Sequence, residues 1–340
     1  MTDTATSDTA TTDTALIDTA EPGTPTQIAV LLMAYGTPRT PDEIEPYYTD
    51  IRRGRAPTPE QLDDLTARYN ALGGTSPLAA RTEAQRAGLQ AALDAAAPGQ
   101  YHVVLGLKHA EPKIEAAVSD LAAKGLRHMV GLVLAPHYSA FSIGQYLDRA
   151  RAAAEPHGIA VAGIESWATE PAFIEFVAAD VRAKLATLPA DTKVLFTAHS
   201  LPQRIVAAGD PYPDELRATA EAVAAAAGLR KWSDWAIAWQ SAGRTPEPWL
   251  GPDILQVIDE LAESENHAGA ERGVLVSAVG FVADHLEVLY DLDIEAAGRA
   301  RTHGLAFART ACVNDDPTVM AALARRVIEA GGPWARPSTP

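Results

Sequence analysis

The feature that most constrains the fold is a regular alternation of short apolar runs with longer segments of helical period. The apolar runs cover residues 28–34, 102–107, 129–135, 194–198, 236–239 and 274–279. The helical segments cover residues 58–72, 82–96, 112–124, 144–154, 171–188, 213–227 and 253–263. Short continuous apolar runs are typical of strands buried on both faces, and their alternation with helices predicts parallel sheets with right-handed crossovers. The sequence therefore predicts an α/β fold.

The length of the chain indicates more than one domain. It has 340 residues, whereas a single core rarely grows beyond ~250–300 residues. We expect domains at residues 27–165 and 166–316, followed by a helix over residues 317–332 whose packing back onto the first domain the sequence leaves open. Residues 1–26 repeat Thr, Asp and Ala with too little apolar content to form a core, so they are expected to be a disordered tail. Residues 333–340 are expected to form a second tail.

Charge and cysteine content exclude several classes of function. The formal net charge is −16, which disfavours binding to nucleic acid or to anionic membrane surfaces. The one cysteine, Cys312, cannot form a disulfide framework or hold an iron–sulfur cluster within the chain. No apolar run approaches the ~18 residues of a membrane span, and no basic and apolar leader opens the sequence. We therefore expect a cytoplasmic protein without membrane insertion.

The reactive side chains lie where predicted strands end. Three strands lead into turns that carry a ring side chain, namely Tyr35, His137 and His199, and a fourth leads through residues 280–286 to Glu287. Ligands bind at the carboxyl ends of strands in open α/β sheets, so two such sheets facing each other would form one cleft. A neutral imidazole such as His199 can ligate iron or accept a proton near pH 7. The alternative is that His199 is a structural residue whose ring is fully hydrogen-bonded.

Three carboxylates, Glu287, Asp291 and Glu295, follow one another at four-residue spacing in a segment, residues 286–297, that is predicted to be helical. On an α-helix they would form a stripe with steps of ~6 Å along one face, where like charges repel unless cations bind. Divalent cations are natural ligands of such a stripe. A solvated acidic helix face is the alternative.

The densest positive patch of this acidic chain is residues 51–55, which include Arg52, and Arg68 and Tyr69 follow at the end of a predicted helix. Arginine binds carboxylates through two parallel hydrogen bonds, so this patch suits a flat polycarboxylate. Tyr35 could stack on or lie over the same ligand. Ordinary surface arginines and a tyrosine that caps the core are the alternatives.

Together these motifs resemble the ferrochelatase family over roughly residues 27–332. The likeness rests on Tyr-Gly-Thr-Pro at 35–38, Arg-Arg-Gly-Arg at 52–55, Gly-Leu-Lys-His at 106–109, Leu-Ala-Pro-His at 134–137, Thr-Ala-His-Ser-Leu-Pro at 197–202, Asp-Pro-Tyr-Pro at 210–213, Trp-Gln-Ser at 239–241 and the segment 280–291. It is strongest to the soluble Gram-positive type, the coproporphyrin III ferrochelatases. The resemblance implies a chelatase-like fold of two Rossmann-like domains, with parallel sheets flanked by helices around a cleft. It also implies a monomeric lyase that inserts Fe²⁺ into a porphyrin in haem biosynthesis.

The resemblance further implies roles for individual residues. His199 and Glu287 match the catalytic iron site, and Tyr35 matches a residue on the axial side of the metal. The positions that hold the porphyrin carboxylates are matched by Arg52, Arg68, Tyr69, Ser76 and Tyr146. Asp291 and Glu295 match an outer metal-binding stripe, for which Mg²⁺ is a candidate ion. Iron is then a substrate, and no bound prosthetic group is implied.

The stretch after the Gly-Thr-Pro turn, residues 39–55, is polar and carries several arginines. It fits the four carboxylates of coproporphyrin III better than the two of protoporphyrin IX. Protoporphyrin IX is the alternative substrate, and insertion of cobalt into an earlier tetrapyrrole is a further one. A non-catalytic haem or metal carrier is the alternative from another class of protein. A haem-completing decarboxylase is implied as a transient downstream partner.

Overall fold

The computed structural model describes residues 27–230, 233–243, 245–263 and 272–335. The predicted tail of residues 1–26 and the last five residues of the predicted tail 333–340 lie outside the described residues. The first half of the chain contains strands β1 (Ile28–Ala34), β2 (Tyr101–Leu107), β3 (His128–Val133) and β4 (Ala160–Ile164). Its helices are α1 (Ile44–Ile51), α2 (Pro59–Ala71), α3 (Leu78–Ala96), α4 (Ile114–Ala123) and α5 (Ile143–Ala154), with 3₁₀ turns at Pro41–Glu43 and Glu155–His157.

The second half repeats the same plan. Its strands are β5 (Asp191–His199), β6 (Trp235–Gln240), β7 (Arg272–Ser277) and β8 (Ala306–Arg309). Its helices are α6 (Pro171–Leu185), α7 (Arg204–Ala207), α8 (Tyr212–Ala227), α9 (Ile254–Glu263), α10 (Leu286–Leu289), α11 (Ala297–Thr302) and α12 (Pro317–Gly331), and a π-helix (Asp291–Ala296) joins α10 to α11.

Two parallel sheets organise these elements. The strand order is β2-β1-β3-β4 in the first sheet and β6-β5-β7-β8 in the second. Both sheets therefore have the same order, with the first strand of each half in an interior position. All seven residues of β1 are buried, as expected for a parallel strand covered by helices on both faces. The predicted α/β fold with two parallel, helix-flanked sheets is confirmed.

Two strands escaped the sequence prediction. β4 (Ala160–Ile164) and β8 (Ala306–Arg309) are short edge strands with few buried side chains. An edge strand pairs on one side only and does not need a continuous run of large apolar residues. The apolar-run criterion therefore finds the interior strands and overlooks these two.

The halves share part of their core. One apolar cluster joins residues of both sheets, including Val130 and Phe196, with residues of α12 such as Leu323. The outer face of each sheet carries a cluster of its own. α12 lies against α3, β3 and β4 of the first half, and Trp334, just beyond it, stacks on His128 with ring centroids 4.9 Å apart. The shared cluster holds the carboxyl edges of the two sheets in a common arrangement.

Candidate active site

The carboxyl ends of the interior strands bring the first candidate residues together. β5 ends on His199, and the segment after β7 leads to Glu287 in the first turn of α10. The Nε2 atom of His199 lies 3.8 Å from the Oε1 atom of Glu287. Their side chains are 34% and 38% exposed, respectively, so a ligand can reach both from the cleft.

The hydrogen bond on the other ring nitrogen sets the form of His199. Its Nδ1 contacts the backbone carbonyl of Ser200, and since a carbonyl only accepts, Nδ1 carries the proton. In the neutral ring Nε2 therefore presents a lone pair toward Glu287. That lone pair can bind a metal ion or accept a proton.

Glu287 is surrounded by positive or polarisable groups. Burial acts to raise its pKa, but the attraction of His199, His285 and Arg68 outweighs burial and lowers the pKa below its ordinary value. The Nε2 atom of His285 lies 3.7 Å from the Oε2 atom of Glu287. The His285 Nδ1 atom hydrogen-bonds to the carbonyl of Ala283 at 3.0 Å. Glu287 is thus an anion at neutral pH, flanked by two imidazoles.

The carboxylate stripe beyond Glu287 does not lie on a single α-helix. The prediction of one α-helix over residues 286–297 is wrong for its centre, where residues 291–296 form a π-helix. Asp291 is buried and accepts a hydrogen bond from Ser241, and its Oδ1 atom lies 3.3 Å from Nη1 of Arg68. Burial, helped by the charges of Glu287 and Glu295, raises the pKa of Asp291 to about 6 against the opposing effects of Ser241 and Arg68.

Tyrosines line the other side of the cleft. Tyr35 is 43% exposed, and its ring packs on His109 with centroids 4.6 Å apart. The hydroxyl of Tyr47 donates to the carbonyl of Gly36 at 3.2 Å, and Tyr69 lies with its hydroxyl 3.4 Å from that of Thr37. Burial raises the pKa of all three phenols, so they remain neutral. The charge of Glu287 contributes to each of these pKa shifts, which indicates that the tyrosines and Glu287 face one cleft.

The predicted carboxylate-binding residues differ in how free they are. Arg52 packs over the ring of Tyr48 and donates to the backbone of Arg55. Arg68 is partly engaged by Asp291. Ser76 is buried, and its hydroxyl accepts from the backbone N–H of Leu78 at the start of α3, at 3.2 Å.

Tyr146, the last of this predicted set, is buried in α5 beneath the side chain of Lys108. Sequence reasoning assigned no role to Lys108, His109 or Ser241. Lys108 and His109 follow β2 as Tyr35 follows β1, so the same strand-end criterion could have found them.

Two structural absences concern the described ranges alone. Within residues 27–230, 233–243, 245–263 and 272–335, no three His, Cys, Asp or Glu side chains form a group that could hold a metal ion. No helix in that part of the chain is long and apolar enough to cross a membrane.

The sequence and the fold were compared with known proteins. Residues 27–330 match the family model for ferrochelatase. A ferrochelatase of Herpetosiphon aurantiacus is 47% identical over 295 residues, which cover 85% of this chain and 94% of the relative. A coproporphyrin III ferrochelatase of Geobacillus kaustophilus is 45% identical over 306 residues, which cover 88% of this chain and 95% of the relative.

Solved structures give a more distant comparison. SirB from Bacillus subtilis, solved with Fe³⁺, superposes with a TM-score of 0.52 at 13% identity and covers 91% of this chain and 98% of that chain. CbiX, described as the terminal enzyme of sirohaem biosynthesis in denitrifying bacteria, has a TM-score of 0.50 at 16% identity and covers 89% of this chain and 98% of that chain. At such identities the likeness concerns the fold alone.

Proposed function

The chain belongs to the ferrochelatase family, and on that premise we propose that it inserts ferrous iron into coproporphyrin III. The observation that carries the proposal is the pair of His199 and Glu287, 3.8 Å apart at the carboxyl edges of the strands. A nitrogen and an oxygen ligand suit Fe²⁺. Relatives with 42–45% identity that are described as coproporphyrin III ferrochelatases support the choice of porphyrin.

The charges at the mouth of the cleft also favour a porphyrin with several carboxylates. Arg52, Arg53 and Arg55 lie at and just after the end of α1. Among the described residues none of them has a carboxylate within ion-pair distance, although the chain carries 44 acidic residues and 28 basic ones. Cations left without partners in such an acidic protein are available to an anionic ligand. The substrate carboxylates would bind there and at Arg68.

The chemistry requires an iron ion and two departing protons. Binding of the remote carboxylates can supply the free energy that bends the porphyrin and exposes a pyrrole nitrogen lone pair. His199 Nε2 and the ionised Glu287 would hold Fe²⁺ opposite that nitrogen. Two pyrrole N–H bonds break as two Fe–N bonds replace them, and the protons pass to His199 and Glu287.

For Asp291 and Glu295 we propose an outer binding point for a divalent cation such as Mg²⁺. Asp291 already accepts from Ser241 and lies beside Arg68. A cation would therefore compete with Arg68 for the Asp291 carboxylate. Cys312 is buried, and we propose that the enzyme works without an iron–sulfur cluster.

The test is anaerobic turnover followed by the change in the Q-band spectrum of the free porphyrin. With Fe²⁺, wild-type protein should metallate coproporphyrin III faster than protoporphyrin IX. His199→Ala should lower kcat by ~10²-fold or more, because a metal ligand and proton acceptor is lost. His303→Ala is the matched control, since His303 pairs with Asp259 away from the cleft. Full turnover by His199→Ala would contradict the proposed site, and a preference for protoporphyrin IX would contradict the proposed substrate.

The setting of the reaction belongs to the same proposal. A lone buried thiol suits the reducing cytoplasm, where we place the enzyme. We propose that it acts as a monomer and passes its product to a haem-completing decarboxylase through a transient contact. Gel filtration with light scattering tests the first statement, because a mass near twice 35.9 kDa would exclude the monomer.

A further inference from the structure

Lys108 stands beside Tyr35 at the edge of the first sheet. β1 and β2 pair in parallel with Ala34 opposite Leu107, so the next residues on each strand, Tyr35 and Lys108, are neighbours. The backbone N–H of Lys108 donates to the carbonyl of Ala34 at 2.9 Å. Lys108 therefore belongs to the row of strand-end residues that lines the cleft.

The side chain of Lys108 is held in place by α5. Its Nζ donates to Oε1 of Gln145 at 2.8 Å and lies 5.0 Å from the centroid of the Tyr146 ring. Arg149, one turn further along α5, donates to the Lys108 carbonyl at 3.1 Å. An ammonium group carries three N–H donors, so after the bond to Gln145 at least one is left for a ligand.

No carboxylate neutralises this ammonium group within the described residues. The nearby carboxylates are taken by other groups: Glu115 makes a two-point ion pair with Arg149, and Asp50 contacts His109 and Lys113. A partly buried cation without a counter-charge is unfavourable unless an anion arrives. Burial, together with the charges of Arg149 and Arg53, lowers the pKa of Lys108 to about 8.

We propose that Lys108 binds a carboxylate of the porphyrin substrate, with the Tyr146 ring beneath it and Arg53 beside it. The proposal rests on the proposed function, because it takes the ligand to be coproporphyrin III. It adds a cation on the sheet side of the cleft to those supplied by α1 and α2. Carboxylates on separate pyrrole rings would then each meet a separate positive group.

The test is the affinity for metal-free coproporphyrin III, measured by fluorescence quenching without iron. Lys108→Met keeps the apolar stem and removes the charge, and it should weaken binding ~10-fold, as expected for a lost charged hydrogen bond. Lys108→Arg should retain most of the affinity, because a guanidinium also binds carboxylates. Lys113→Met is the matched control: its charge is already paired with Asp50, so it should bind like wild type. Thermal unfolding of each variant verifies that it folds.

A pH series supplies a readout that a purely structural lysine would not give. Wild-type affinity should fall as the pH rises from 7 through 8 to ~9.5, since the free Lys108 loses its proton there, and Lys108→Met should lack this decline. The groups that face Lys108 do not titrate in that interval. Burial raises the pKa of Tyr146, Glu115 raises the pKa of Arg149, and Arg53 is a guanidinium.

The outcomes separate this inference from the proposed function. Equal affinities of wild type and Lys108→Met would overturn the inference while leaving iron insertion intact. If wild type bound coproporphyrin III through Lys108 but failed to insert iron, the proposed function would fail and the carboxylate site would stand. Absence of any binding by wild type would refute both.

Discussion

Gly280 lies between the strand that carries His199 and the segment that carries Glu287, so adding one methyl group there perturbs both. A β-carbon at this position would meet the Cβ of Ala198, and it would lie 2.6 Å from the Cα of Ala198. To reach an ordinary contact of 3.4 Å, the strand end and the loop must separate by about 0.8 Å. Overpacking of this kind costs about 1–3 kcal/mol. In a chain of this size, Gly280→Ala should lower the melting temperature by roughly 2–12 °C.

The same displacement should impair catalysis, because Ala198 directly precedes His199. A shift near 1 Å between reacting groups can cost up to ~10²-fold in rate, so kcat should fall by ~10–100-fold at a temperature where the variant is folded. Gly298→Ala is the control: its β-carbon meets nothing within 4 Å, and in helix α11 it should stabilise the fold by about 0.5–1 kcal/mol without affecting turnover. Denaturant unfolding and anaerobic iron insertion measure the two effects. A Gly280→Ala variant with wild-type stability and kcat would refute the packing argument, and lost stability with unchanged kcat would refute the coupling to His199.

Three further predictions concern other parts of the fold. Burial lowers the pKa of His137 from 6.5 to about 3, so below pH 6.5 the unfolded chain binds a proton that the folded one does not. The free energy of unfolding should then fall by up to ~1.4 kcal/mol per pH unit as the pH decreases, and urea titrations of His137→Gln should show a shallower slope. Gln85 of α3 donates to two backbone carbonyls of the second half. Gln85→Leu should therefore lower both stability (by about 1–3 kcal/mol) and kcat, whereas Gln90→Leu, whose bonds stay within the first half, should lower stability alone. Asp316 caps α12, so Asp316→Ala should cost about 0.5–2 kcal/mol in denaturant unfolding without changing turnover.

The sequence predicts the interior strands well because burial on both faces requires continuous apolar runs. It predicts the position of His199 for a related reason: the residue comes directly after such a run. Contacts between distant segments cannot be read in this way. The pairing of Arg68 with Asp291 joins residues 223 positions apart, and nothing in either local pattern indicates the other. Ser241 adopts a positive φ of 58°, which its sequence neighbourhood does not indicate either.

The carboxylate stripe shows what a local pattern can contain beyond the template applied to it. Four buried apolar residues lie at strict four-residue spacing, Val288, Leu292, Ala296 and Ala300, in step with Glu287, Asp291 and Glu295. On an α-helix four residues advance ~40° beyond a full turn, so such a pattern would drift around the axis by ~120° over three steps.

The π-helix cancels this drift. The backbone N–H of Glu295 donates to the carbonyl of Tyr290 at 3.0 Å, an i→i+5 bond that closes a wider turn. In a turn of more than four residues, a step of four falls short of a full rotation and turns the stripe back. The apolar residues thereby stay on the core and the carboxylates stay on the cleft along the whole segment. A strict period of four, shared by acidic and apolar residues, is thus a sequence signal for a π-helical turn, and the assumption of 3.6 residues per turn concealed it.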